Sequence, residues 1–445
     1  METRQPKARL AAAFLAKGTQ LAAALFLSGL KGQIFFAAIR GYDPDVAAAY
    51  GVGITVTLAV SMLGAGLNVV AVQKLAGIDV HEDTQERRHR LSAIGATAVS
   101  STLLLTFSLL AAGAVLALVG DGLTSLFFWC RMPGVLVIPL QGVVTGALVA
   151  SGREGAALRT SLENLVLNAA AAAILPLLSL SPPAALIAIA VYGTLADTFT
   201  LIRQLVRLGR LGPHLLSAVR TAIPVVVTQP VSHLRGAWQA AAGASDGLIM
   251  MGSFALITLA AAQVDDETAV TVTALVSLMR TIIIPLKSYG LVGGRMATAP
   301  GHGLRPDQRV NLFGAVIAGL SLPLSATMIS APNAMLHLIG LEAASGPAVL
   351  AVRLAGAQLL LEPIKGFGAA ALKILVAPSA AMTALLISMA GVALPVVAVL
   401  LVSANLSVAS IWGALLSARI CFALLVLRRC RSWRHGALAP VMGKR

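Results

Sequence analysis

Long apolar stretches alternate with short charged ones along the whole chain. The apolar runs lie at roughly 18–40, 46–73, 91–119, 122–150, 160–180, 183–205, 236–262, 267–294, 309–332, 345–374, 379–400 and 403–427. Each reaches or approaches the ~20 residues that a helix needs to cross a bilayer. One region departs from the pattern. Residues 213–262 are too many for one span, and Pro224, Pro230 and the run His233-Leu-Arg235 interrupt them. The prediction there is an interfacial or broken segment leading into the seventh span.

Composition agrees with that pattern. Of 445 residues, 58% are hydrophobic and 11% charged, against about 25% charged in a soluble domain. The expected class is an all-α polytopic membrane protein with about 12 transmembrane helices and no separate soluble domain. The formal charge of +15 does not point to nucleic acid, because most Lys and Arg sit in short loops between apolar runs. The three cysteines, Cys130, Cys421 and Cys430, lack metal-type spacing, so neither a metal nor another cofactor is expected. The opening METRQPKARL resembles a signal peptide, but Lys17 interrupts the apolar run, and a retained first helix is expected instead.

Loop charge gives an orientation. One set of alternate loops holds Lys74, Arg87, Arg88, Arg90, Arg153, Arg159, Arg207, Arg210, Arg220, Arg295, Arg305, Arg309 and Lys373, and both tails belong with it. The opposite loops hold Asp43, Asp45, Asp121, Asp265, Asp266, Glu267 and Glu342, with Arg40 their one cation. Cationic loops stay in the cytoplasm. An even span count and two cytoplasmic termini follow, in what is expected to be a bacterial plasma membrane.

The two halves of the chain echo each other. Pro139-Leu-Gln-Gly142-Val-Val-Thr-Gly146-Ala-Leu148 is matched half a chain later by Pro363-Ile-Lys-Gly366-Phe-Gly-Ala-Ala-Ala-Leu372. Gly142 and Gly146 form a G-x-x-x-G pair, with Gly366 and Ala370 as its counterpart. Small residues four apart let helix backbones approach closely in a membrane. Pro139, Gly142, Gly146, Pro363 and Gly366 are therefore the candidate packing and hinge positions. Both halves hold six spans and both begin inside, so the expected architecture is two six-helix bundles, 1–210 and 211–445, related as parallel repeats. An accidental compositional match is the alternative.

The residues from Gly142 through Gly146 to Gly152-Arg153, followed by Asn168 in the next helix, resemble the multidrug and toxic compound extrusion (MATE) transporters and their wider MOP superfamily of flippases and exporters. Gly64-x-Gly66 with Gly77, and Ala377-Pro-Ser379, are similar to further turns of that family. The resemblance implies secondary transport by alternating access. One departure stands out: many drug-exporting members carry an aspartate in the first helix, whereas the polar residues here are Gln20, Lys31 and Gln33.

Charges inside the spans supply the candidate site. Lys31, Arg131, Arg235, Arg280, Lys287, Arg353, Lys365 and Arg419 all fall within or at the start of apolar runs. A cation at the centre of a lipid-facing helix costs ~2.5–3.5 kcal/mol, so they cannot all face lipid. Arg419 and Lys287 are expected to reach the cytoplasmic interface, and Arg235 to lie in it. Lys31, Arg131, Arg280, Arg353 and Lys365 remain as candidate cavity cations that would favour an anionic substrate. Interhelical salt bridges are the alternative for the same set. Asp197, Glu362 and Glu163 are the candidate ion-coupling groups, and Glu362 and Lys365, three apart, can pair. Asn164 and Asn168 are expected to pack by hydrogen bonding across to the preceding helix.

No ATP-binding loop and no hydrolase or zincin motif occurs, so an enzyme is not expected. The expectation is an ion-gradient-driven exporter or flippase of a small, amphiphilic or lipid-linked substrate, coupled to proton or sodium, working as a monomer in the bilayer. A cationic-drug antiporter is one alternative. Low aromatic content, 4%, argues against it, since sites for flat cations tend to be aromatic-lined. A polyprenyl-type transferase using Asp79, Glu82 and Asp83 and a non-transporting membrane partner are the others.

Overall fold

A computed structural model describes residues 7–40, 44–76, 85–119, 122–299, 304–338 and 346–434. Their regular structure is helical throughout: α1 (Lys7–Arg40), α2 (Pro44–Leu75), α3 (Gln85–Val119), α4 (Gly122–Val135), α5 (Ile138–Ala150), α6 (Glu154–Ile174), α7 (Pro182–Leu208), α8 (Leu211–Thr228), α9 (Pro230–Ala262), α10 (Asp266–Thr298), α11 (Pro306–Ser330), α12 (Pro332–Leu338), α13 (Gly346–Leu359), α14 (Ala369–Leu375), α15 (Met382–Ser388), α16 (Leu394–Val402) and α17 (Val408–Arg434). Among the described residues 10 helices are long and apolar enough to cross a membrane, or up to 12 if two bent pairs each count as one span. Phe107, Leu118, Leu195, Val206, Val399 and Leu424 are exposed, as expected of helices whose outer faces meet lipid. The chain is an integral membrane protein.

The irregular region resolves into two helices. Pro224 lies inside α8, and Pro230 opens α9 after Gln229. At the first helical position the missing proline N–H removes no helical bond. Leu211, Leu215, Ala222 and Val226 of α8 are buried, and the helix packs along α3.

The chain forms two compact units. The N-terminal unit runs from Ala23 to Ala244; the C-terminal unit takes the described residues up to Ala22 and those from Ser245 onward. The crossings thus fall inside α1 and α9, whereas the half-chain division drawn from the repeat lies at 210/211. The packing of α8 on α3 places it with the N-terminal unit. In the C-terminal unit, the start of α1 is held by rings: Phe14 stacks on Phe313 at 4.3 Å and meets Tyr289 and Phe367 edge-on.

The proline echo has a structural counterpart in each unit. Leu136 and Val137 form a turn between α4 and α5, just before Pro139; Leu360 and Leu361 form a turn after α13, just before Pro363. Proline lacks the N–H that would continue the helix ladder and its ring crowds the preceding turn. The second break is the more irregular, because Pro363–Gly368 winds as a π-helix before α14 begins. α13 and the segment Pro363–Leu375 are bent by 47°.

The small residues that follow each proline sit at close helix contacts. Gly146 of α5 faces Ala71 and the Asn68 carbonyl of α2, where an added Cβ would lie 2.6 Å from each. In the C-terminal unit the counterpart Ala370 faces Gly290 of α10. Each contact pairs one glycine with one alanine, and the glycine is on opposite partners in the two units. The turn from α5 into α6 requires its own glycine: Gly152 has φ +71°, and Arg153 N donates to Leu148 O at 2.9 Å as the helix closes.

Candidate functional site

Among the described residues, each unit holds a buried ion pair that includes residues named from the sequence. In the N-terminal unit, α4 carries Arg131 and α7 carries Asp197, and the two side chains form an ion pair with only 8% and 2% of their surface exposed. Arg131 Nη1 also donates to Thr194 Oγ1 at 3.4 Å, and Gln141 Nε2 donates to the Asp197 carbonyl at 2.5 Å. Gln141 is two residues past Pro139, so the broken helix contacts α7 next to the charged pair. Asp197, one of the candidate ion-coupling groups, is the partner of Arg131 in this pair.

Glu163 sits elsewhere in the same unit. Its carboxylate accepts from Arg203 Nε at 3.0 Å and from Arg207, and about a third of it is exposed. Its neighbour Asn164 is buried and accepts from Asn168 Nδ2 at 2.7 Å. The expected bond across to the preceding helix is thus replaced by one within α6, because residues four apart on a helix are neighbours.

The second centre forms at the break after α13. Glu362 is fully buried and Lys365 nearly so, and Lys365 Nζ donates to Glu362 Oε1. The π-helical winding and Gly366 make the space: a Cβ at Gly366 would collide with Glu362 Oε2. Two further cations act on this pair, Arg419 from α17 and Lys287 from α10. Glu362 Oε2 has no hydrogen-bond partner among the described residues. The Glu362 carboxylate thus has one oxygen on the Lys365 ammonium and the other without a hydrogen bond among the described residues.

Sequence position alone misplaced two residues. Arg419, expected to reach the interface, is 3% exposed and faces the Glu362–Lys365 pair. Lys373, read as a loop cation, is buried in α14 with its Nζ 3.4 Å from Ser245 Oγ. Arg353 is exposed on α13 and joins neither centre. The side chains of Lys31, Gln33 and Arg280 lie outside the described residues, as do Asp79, Glu82 and Asp83. No group of three or more potential metal ligands occurs among the described residues. Gln358 and Trp412, both buried with unbonded nitrogens, carry no sequence signal that separates them from ordinary packing residues.

No family model matches this chain, and no curated protein matches it. Solved structures do. A MATE transporter in the bent conformation superposes with a TM-score of 0.78 at 14% identity, covering 98% of each chain. An outward-facing multidrug resistance MATE family transporter of the MOP superfamily gives 0.73 at 14% identity over 96% of each. A MOP superfamily transporter from Pyrococcus furiosus, described as having a binding pocket of reverse polarity that suggests a different function, gives 0.70 at 15% identity over 96% of each. At these identities the likeness is one of fold.

Proposed function

We propose that this chain, whose fold is that of the MATE transporters, is a secondary transporter that moves a small or amphiphilic substrate across the membrane by alternating access, using an ion gradient. The halves 1–210 and 211–445 would be its two repeats, with both termini in the cytoplasm of a bacterial cell. Glu362 is the coupling group in this reading. The observation that carries it is the buried carboxylate at a helix break, bonded on one oxygen to Lys365 and unbonded on the other. Proton uptake would neutralise Glu362 and leave the Lys365 charge without its counter-ion in a buried site. That state is costly and would drive rearrangement of the π-helical segment.

The substrate charge is a separate question. Two of the five candidate cations are neutralised by carboxylates, Arg131 by Asp197 and Lys365 by Glu362. The anionic-substrate reading therefore rests on Lys31, Arg280 and Arg353, with support from the reversed pocket polarity described for the Pyrococcus neighbour. Cationic-drug antiport is the second reading, favoured by the multidrug resistance neighbour of the same fold.

Reconstituted protein under an imposed proton or sodium gradient, offered an organic anion and a cationic dye, tests both. Flux of one substrate that collapses with the gradient is expected. Glu362→Gln is expected to abolish the gradient dependence while the protein remains folded. Unchanged gradient-driven flux in that variant would remove Glu362 from the mechanism. Dye flux without anion flux would decide for the drug antiporter.

A further inference from the structure

On α13, its continuation and α17, three side chains other than the cation Arg419 carry a buried polar atom whose bonds are unaccounted for. Gln358 Nε2, Trp412 Nε1 and Glu362 Oε2 have no hydrogen-bond partner among the described residues. Their side chains are almost fully enclosed, at 2%, 1% and 0% residue exposure. Buried polar groups in folded proteins are nearly always bonded to protein or to ordered water, so three in one interface call for a ligand.

Their placement follows from helix geometry. Gln358 and Glu362 are four apart and share a face as α13 runs into its break. Trp412 and Arg419 are seven apart on α17, two turns along one face. The register between the helices is set at two points. A Cβ at Gly368 would lie 3.6 Å from Val426 Cγ1, and further along both segments Arg429 Nη1 donates to the Ala380 carbonyl. The helices therefore run in the same direction. From the Glu362–Arg419 level, Gln358 lies about 6 Å back along one helix and Trp412 about 10 Å back along the other.

The chemistry of the three atoms selects the ligand. Two are N–H donors and one is a carboxylate oxygen. Water oxygens can accept from Gln358 Nε2 and from Trp412 Nε1, a water O–H can donate to Glu362 Oε2, and waters bonded to one another can span the ~10 Å between these levels. Sodium is bound by oxygen ligands such as backbone carbonyls, and two N–H groups repel it.

We propose that the α13–α17 interface holds ordered water on Gln358, Trp412 and Glu362, and that this water carries the coupling proton to and from Glu362. The proposal rests on Glu362 as the coupling carboxylate, and it names the proton rather than sodium. In the step, a proton arriving on the water side becomes an O–H bond on Glu362 Oε2, a water O–H bond breaks, and the positive charge passes from the water to the carboxyl group. Lys365 on Oε1, with Arg419 and Lys287 around it, faces the same carboxylate and favours its later release of the proton.

The test uses the full chain in proteoliposomes. Infrared difference spectra identify the protonated Glu362 carboxyl band as the one lost in Glu362→Gln, and transfer to D2O gives its exchange rate. Trp412→Phe and Gln358→Met each remove one N–H with little change of volume. Each is expected to slow exchange and proton-driven flux by about tenfold, the scale of one lost hydrogen bond, with substrate binding unchanged. Two substitutions are used so that a folding defect in one leaves the other decisive. Wild-type exchange rates in the folded variants would overturn the water path and leave Glu362 as the coupling group. A Glu362→Gln protein with an unaltered carboxyl spectrum and unaltered proton-driven flux would instead reject the coupling role, and this proposal with it.

Discussion

Replacing Asp197 with leucine is expected to destabilise the folded chain by about 3–5 kcal/mol, the cost of stranding one member of a buried ion pair. Arg131 is enclosed, and Thr194 at 3.4 Å is a weak substitute for a carboxylate. The informative comparison is the double variant Arg131→Met with Asp197→Leu. A well-packed apolar replacement of both partners is often neutral or stabilising, so the double variant is expected near or above the parent. Thermal unfolding of the detergent-solubilised protein measures both. A single variant as stable as the parent would mean that the guanidinium is solvated, not buried. The double variant has a second use: if it folds and transports under a gradient, Asp197 is a structural partner and not a coupling acid.

Gly146→Val is expected to prevent α2 and α5 from packing at their native distance. A Cβ alone would stand 2.6 Å from the Asn68 carbonyl and from Ala71 Cβ, and a backbone carbonyl cannot rotate away as a side chain can. Overpacking costs ~1–3 kcal/mol for added methylenes in a packed core and sometimes more, so valine is expected to lower the yield of folded protein sharply. Gly146→Ala is the graded version, expected to cost ~1–3 kcal/mol. Ala71→Gly added to it is expected to recover part of the loss, since it copies the arrangement in the other unit, where alanine at 370 faces glycine at 290. No recovery would place the clash on the Asn68 backbone. Unfolding temperature in detergent, compared across the four chains, decides.

How much was legible in advance depends on whether a feature is recorded along the chain or around it. Hydropathy runs along the chain, and the predicted spans coincide with the helices, including 122–150 as α4 with α5 and 345–374 as α13 with its continuation. Proline and glycine act locally, so the echo at Pro139 and Pro363 did correspond to two breaks in the same register. Azimuth was not legible. A helix that is apolar on every side gives no periodic signal for which face turns inward, so Arg419 was placed at the interface although it is buried, and the exposure of Arg353 was not foreseen. Lys373 was misplaced for a related reason: cationic loops were used to count spans, and a cation one turn inside a helix end joins that count. Gln358 and Trp412 were missed because their significance lies in lacking partners, a three-dimensional property.

The ring cluster around Phe14 has a consequence for how the protein is made. Phe14 packs on Phe313 and Phe367, residues that leave the ribosome about 300 and 350 positions after it. At 5–20 residues per second, roughly 15–70 s pass before those partners exist. During synthesis the start of α1 must wait in lipid, on another helix or with an assembly factor, and its docking records that the C-terminal unit has been completed. A nascent chain truncated before Phe313 should therefore leave this segment open to protease or to a cysteine-directed probe, and only the finished chain should protect it.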